Sequence, residues 1–159
     1  SKAFKLKSHA KRNGKLTYTT SNKAVATVDA AGKVTVKGPG VAKITVKAAA
    51  TTDYKAASKT VTVTVAPKKQ SISLINKIKK QLTIKWKKNT KASGYQVVYS
   101  TNKKFTGKKT VRKAKTTTSY KVKGLKKGKK YYVKVRSYKT VNGKRIYGAY
   151  STAKKATIK

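Results

Sequence analysis

Tyr131-Tyr132-Val133-Lys134-Val135-Arg136-Ser137-Tyr138 decides the fold of the second half of the chain. Side chains alternate across a strand, so Tyr131, Val133 and Val135 share one face, while Tyr132, Lys134, Arg136 and Tyr138 share the other. An apolar face backed by a polar, cationic one marks a half-buried strand. Leu82-Thr83-Ile84-Lys85-Trp86 repeats the pattern, with Leu82, Ile84 and Trp86 on one side. Gly94–Ser100 does so again with Tyr95, Val97 and Tyr99. These three faces are expected to meet between two sheets.

Further along the chain in both directions, the alternation predicts strands at Phe4–Lys7, Leu16–Thr19, Ala24–Asp29, Lys33–Lys37, Ala42–Lys47 and Lys59–Val65. A second series covers Ser71–Leu74, Gln81–Lys87, Gly94–Ser100, Lys109–Arg112, Ser119–Lys123, Tyr131–Tyr138, Ile146–Tyr150 and Ala156–Ile158. No segment sustains a period of 3.6 residues, so the fold class is all-β, with a sandwich or barrel rather than alternating βαβ units. Between the series lies Ala66-Pro67-Lys68-Lys69-Gln70, where Pro67 has no N–H to give to a ladder. The expectation is two small sandwiches, residues 1–67 and 71–159, joined by a short linker at Pro67. Turn chemistry marks further breaks. Asp29-Ala30-Ala31-Gly32, Lys37-Gly38-Pro39-Gly40, Asn13-Gly14 and Asn142-Gly143 all favour reversals, the last as a two-residue hairpin turn with positive φ at both positions.

Charge bounds the function. There are 43 basic residues against two acidic ones, a formal net charge of +41 on 159 residues. Such a surface attracts polyanions and anionic surfaces over long range, and salt weakens that attraction. With Asp29, Asp53 and His9 as the whole inventory of carboxylates and imidazoles, enzyme chemistry is not expected. A carboxylate pair needs a separation of about 5–9.5 Å, and nothing in the spacing brings Asp29 to Asp53. Asp29 reads as a turn residue and His9 as a solvated one. Calcium and zinc sites need ligand sets this chain lacks, so neither a metal nor a cofactor is expected. With no cysteine there is no disulfide. No apolar run reaches the roughly 20 residues of a membrane-spanning helix. No signal or transit peptide is visible from Ser1, so the chain reads as a piece of something longer.

Two stretches carry family resemblances. Ser21-Asn22-Lys23-Ala24-Val25-Ala26-Thr27-Val28-Asp29, then Gly32-Lys33-Val34-Thr35-Val36 and Gly40-Val41-Ala42-Lys43-Ile44-Thr45-Val46, resemble the bacterial immunoglobulin-like repeats of surface proteins and adhesins. That resemblance covers about residues 4–66, and the family would normally place a strand before Phe4. Leu82–Trp86, Gly94–Tyr99 and the series Leu125, Gly128, Tyr131–Val135 resemble the B, C and F strands of a fibronectin type III domain over about residues 71–159. The resemblances imply two tandem immunoglobulin-like β-sandwiches with an extracellular or cell-surface habit in a bacterium. They imply that Trp86 is the core tryptophan and that the Tyr131 hydroxyl bonds back to nearby backbone as a tyrosine corner. The Arg-Gly-Asp motif of some fibronectin loops is absent; the loop here reads Asn142-Gly143-Lys144-Arg145. The second module has no carboxylate for a carboxylate-assisted isopeptide crosslink.

The candidate polyanion-binding residues are Lys126, Lys127, Lys129 and Lys130 before the Tyr131 strand, Tyr132, Lys134, Arg136 and Tyr138 on its outward face, and Lys144 and Arg145 in the hairpin beyond it. Tyrosines interleaved with cations suit sugar rings or bases, while lysines meet phosphate or sulfate. Only Arg12, Arg112, Arg136 and Arg145 are arginine, the other 39 basic residues being lysine. Lysine is a hydrated point charge without the bidentate fork that reads bases, so sequence-specific DNA recognition is not expected. The first functional expectation is a non-catalytic stalk or adhesive module that holds teichoic acid, sulfated or sialylated glycans, or extracellular DNA or RNA. The alternative is a sequence-independent nucleic-acid binder or carrier acting through charge alone.

Overall fold

The computed structural model describes residues 2–10 and 14–159, and among these described residues there are fourteen β-strands and no helix. The chain divides into two units, Ser1–Val65 and Ala66–Lys159. The expected turn at Asn13-Gly14 falls outside the described residues, since Asn13 is not among them.

In the first unit, β1 (Ala3–Lys5), β4 (Lys33–Val36) and β3 (Ala26–Val28) form one sheet in that order. The other contains β2 (Leu16–Thr20), β5 (Gly40–Ala48) and β6 (Ala57–Val65). Every pairing is antiparallel. Val25, Ala26, Val34, Ala42 and Ile44 are buried together, flanked by Leu6, Val28, Val63 and Val65. Asp29 behaves as the turn residue its position suggests. Its Oδ1 accepts from the backbone N–H of Ala31 at 3.0 Å and of Lys33 at 2.9 Å, while Gly32 takes a φ of 75°. Gly40, with φ 144°, lies against Val25, whose Cγ2 would stand 2.7 Å from a Cβ placed there.

The second unit packs β7 (Ile72–Ile75), β8 (Leu82–Trp86) and β11 (Ser119–Val122) against a five-stranded sheet. That sheet runs β10 (Lys109–Ala114), β9 (Gly94–Ser100), β12 (Lys130–Val141), β13 (Lys144–Tyr147), with β14 (Lys154–Thr157) also paired to β12. The three faces predicted from alternation do meet. Leu82, Ile84, Trp86, Tyr95, Val97, Val133 and Val135 form the core with Ile72, Val122, Leu125 and Ile158, and Tyr99 and Tyr131 pack against it. Trp86 meets Tyr95 with ring centroids 5.4 Å apart and planes tilted by 53°. The Tyr131 hydroxyl accepts from the Lys126 N–H at 3.4 Å, as the tyrosine-corner resemblance implies. Asn142 and Gly143 take φ of 47° and 73°, the geometry of a type I′ turn, and join β12 to β13.

Residues 66–70, expected as a short linker, lie within the second unit: Pro67 and Gln70 are buried, and the segment is stitched into it. Ser137 Oγ donates to the Lys68 carbonyl at 3.2 Å, and Gln70 Nε2 donates to Ser137 Oγ at 3.3 Å. Polar groups taken from water need such partners, and here both come from the middle of β12. The expected strand Ile146–Tyr150 also stops early, at Tyr147. Gly148 still donates to the Ser137 carbonyl, but a Cβ on Gly148 would collide with the Pro67 carbonyl. Glycine at this position lets the Pro67 carbonyl lie close; beyond it the chain leaves the ladder and rejoins β12 through Ser151, whose N–H donates to the Val135 carbonyl and whose Oγ accepts from the Val135 N–H.

Candidate cation–aromatic surface

The outward face of β12 is built by register. Lys134 lies beside Val98, Arg136 beside Gln96 and Tyr138 beside Gly94 across the β9–β12 ladder. On the other flank Tyr138 lies opposite Tyr147 in β13. Gly94 matters because Tyr138 lies over it; a Cβ there would stand 2.5 Å from the Tyr138 hydroxyl. A small residue beneath a large ring lets the ring lie down on the sheet.

On this floor the side chains alternate between cation and aromatic ring. Lys134 Nζ stands 4.0 Å from the ring centre of Phe105 and 4.5 Å from that of Tyr150. The Arg136 guanidinium carbon lies 3.8 Å from the centre of Tyr147 and 4.3 Å from that of Tyr150. Tyr147 meets Tyr138 edge-on at 5.7 Å, and the Arg145 guanidinium is 5.5 Å from Tyr138. Beneath them Gln96 is buried, and its Oε1 accepts twice, from Arg136 Nε at 2.6 Å and from the Tyr150 hydroxyl at 2.9 Å. Val98, on the same side of β9, is fully buried by this layer. The rings offer their negative faces to the cations, an attraction worth about 0.5–1 kcal/mol when exposed and ~2 when desolvated.

Of the residues singled out from sequence, Lys134, Arg136, Tyr138 and Arg145 are brought together here. Lys144 is exposed beside the same hairpin, and Tyr132 is half-buried opposite Ser100. Lys126, Lys127, Lys129 and Lys130 are exposed at the opposite end of β12. A strand of that length extends about 36 Å at ~3.3 Å per residue, so the candidates form two groups rather than one patch. Phe105, Gln96, Tyr147 and Tyr150 complete the layer and were not among the expected residues. Phe105 sits in a loop at φ 61°, which strand alternation cannot place. Tyr147 and Tyr150 fall on either side of the break at Gly148, so counting by twos along one continuous strand misassigns their faces.

His9 and Asp29 line different hollows of the first unit. His9 lines a groove of about 360 Å³ in the first unit with Leu6, Leu16, Val46 and Val61. Asp29 borders a different hollow beside Phe4 and Lys33. Among the described residues no three His, Cys, Asp or Glu side chains cluster as a metal site would. On the inner face, Tyr99 has its pKa raised above the ordinary value near 10 by burial, and further by its proximity to Tyr120 and Tyr131.

Comparison with known proteins agrees with this architecture. The family described as the intimin immunoglobulin-like domain matches residues 2–51, and the fibronectin type III domain family matches residues 65–152. No curated protein matches the sequence. Among solved structures, the sixth fibronectin type III domain of human fibronectin type III domain containing protein 3 superposes with a TM-score of 0.50 at 15% identity, over 60% of this chain and 89% of that one. The FN1–FN3 domains of chicken CNTN1 give a TM-score of 0.52 at 19% identity, over 81% of this chain and 48% of theirs. At these identities the likeness is one of fold.

Proposed function

We propose, from the premise that this chain belongs to the fibronectin type III family through its second unit and to the intimin immunoglobulin-like family through its first, that it is a non-catalytic adhesive segment of a bacterial cell-surface protein. Domains of both families fit surface, adhesin-like modules that bind or space rather than turn over substrate. Its partners are anionic polymers outside the cell: wall teichoic acid, sulfated or sialylated glycans, or extracellular nucleic acid held without regard to sequence. The observation that carries this reading is the formal charge of +41, with an exposed lysine on ten of the fourteen strands among the described residues. A surface of one sign raises the local concentration of opposite charge and speeds encounter, while salt screens it.

The test is retention of the intact chain on immobilised heparin, teichoic acid and DNA across a salt gradient. Binding at low salt, with elution as salt rises, is the expected result. Passage through all three columns at low salt would refute the adhesive role. Equal affinity for every polyanion would instead favour a carrier that works through charge alone.

A further inference from the structure

We infer that Arg136 is a pre-organised oxyanion site for a charged saccharide on the outward face of the β9–β12–β13 sheet. This rests on the adhesive reading above and gives it a defined contact. Four observations converge on the one guanidinium. Its Nε is fixed by Gln96 Oε1 at 2.6 Å, and Gln96 is itself buried and tied to the Tyr150 hydroxyl. Tyr147 and Tyr150 hold the guanidinium carbon at 3.8 and 4.3 Å from their ring centres. Among the described residues, no hydrogen bond is made by its two Nη groups. Lys134, two residues along the same strand face and so ~7 Å away, adds a second cation held between Phe105 and Tyr150.

A guanidinium with its orientation already fixed loses little freedom on binding, and its remaining N–H donors match the paired oxygens of sulfate or carboxylate. This sets Arg136 apart from the lysines, whose ammonium groups are hydrated point charges without the fork. The same contacts choose between ligands. Tyr147 and Tyr150 already have cations over their rings, and Tyr147 meets the edge-on Tyr138 as well. A flat nucleobase needs an open ring face for stacking. Tyr147, against the guanidinium, and Tyr138, edge-on to Tyr147, bring phenol groups that suit the hydroxyls of a pyranose. We assign a sulfated or uronate-bearing saccharide as the ligand class, with the phosphates of a nucleic acid, which the same fork would fit, as the competing outcome of the test.

The experiment measures the affinity of the full chain by calorimetry at about 0.3 M NaCl, where screening has cut the Debye length below ~8 Å. The probes are a heparin oligosaccharide, a hyaluronan oligosaccharide and oligothymidylate. Arg136→Lys keeps the charge and removes the fork. It is expected to weaken heparin binding about tenfold, equivalent to about 1.4 kcal/mol, and to leave oligothymidylate unchanged. A loss on heparin alone names sulfate as the bound group, and a loss on hyaluronan too names the uronate carboxylate; either supports the site. Unchanged heparin affinity overturns it, as does a lowered melting temperature without loss of affinity. An equal loss on oligothymidylate overturns the saccharide assignment. Should Arg136→Lys not fold, Gln96→Glu sets a carboxylate against the guanidinium and is expected to give the same loss relative to the charge-matched Lys47→Gln. Equal binding by those two variants overturns the site. Parental protein that binds no polyanion even at low salt refutes the adhesive role itself, a separate outcome.

Discussion

Replacing Trp86 tests the architecture of the second unit most sharply. The side chain is 6% exposed and packs on Tyr95, among Ile84, Val97 and Val135 in the same core. Truncation to alanine leaves a cavity that rigid sheets on both sides cannot close, and such losses run to about 3–5 kcal/mol. The indole brings a liability, however: Nε1 is buried with no hydrogen-bond partner among the described residues. An unsatisfied donor costs about 1–3 kcal/mol, so Trp86→Phe removes apolar area and a penalty together. It should therefore cost less than about 1.5 kcal/mol. For a unit of this size, one kcal/mol shifts the melting temperature by about 4–8 °C, which puts Trp86→Ala at least ~12 °C below the parent. Trp86 is the only tryptophan, so its fluorescence cannot follow the variants. Tyrosine emission can, because all tyrosines except Tyr18 and Tyr54 lie in the second unit. The reasoning is refuted if Trp86→Ala melts within a few degrees of the parent, or if Trp86→Phe is as damaging as Trp86→Ala.

Three other outcomes are expected. Gly148→Ala forces a methyl group against the Pro67 carbonyl and should cost about 1–3 kcal/mol. It should also raise hydrogen exchange at residues 68–70; unchanged exchange there would show that the segment is held otherwise. Added salt should raise the melting temperature of the whole chain, because screening relieves repulsion among cations that outnumber anions 43 to two, and a calorimetric scan showing a fall would contradict this. Tyr99 gives a pH signature. Its raised pKa means that above about pH 10 the unfolded chain ionises this phenol before the folded chain does, so its contribution to stability is lost as pH rises. Tyr99→Phe should gain on the parent in urea titrations from about pH 10 upward, and a constant difference between them across that range would negate the assignment.

Much of the frame was legible because strands write their faces into the sequence at a period of two. Leu82, Ile84 and Trp86, or Tyr131, Val133 and Val135, could hardly be read otherwise, and Asn142-Gly143 announced its own turn. What went unread lay where backbone left the regular ladder. Nothing in Ala66–Gln70 reveals that Ser137, some seventy residues away, holds it by hydrogen bonds. Gly148 likewise gives no local sign that the Pro67 carbonyl lies against it where the strand ends. The surface was half legible. Alternation identified Lys134, Arg136 and Tyr138 as neighbours, but which rings cap them depends on the loop carrying Phe105 and on the far side of that break. An abundance of lysine also hid the contrast that matters, one guanidinium held by Gln96, Tyr147 and Tyr150 among many ammonium groups.

The anchoring of Pro67–Gln70 has a mechanical corollary. Tension that enters the second unit at Ala66 reaches the contacts with Ser137 and Gly148 before it reaches the β7–β8 ladder that begins at Ile72. Three side-chain hydrogen bonds, the third from Lys69 Nζ to Thr152 Oγ1, and a buried proline thus stand in series ahead of the sheet, a clasp that must open before the first strand can be peeled.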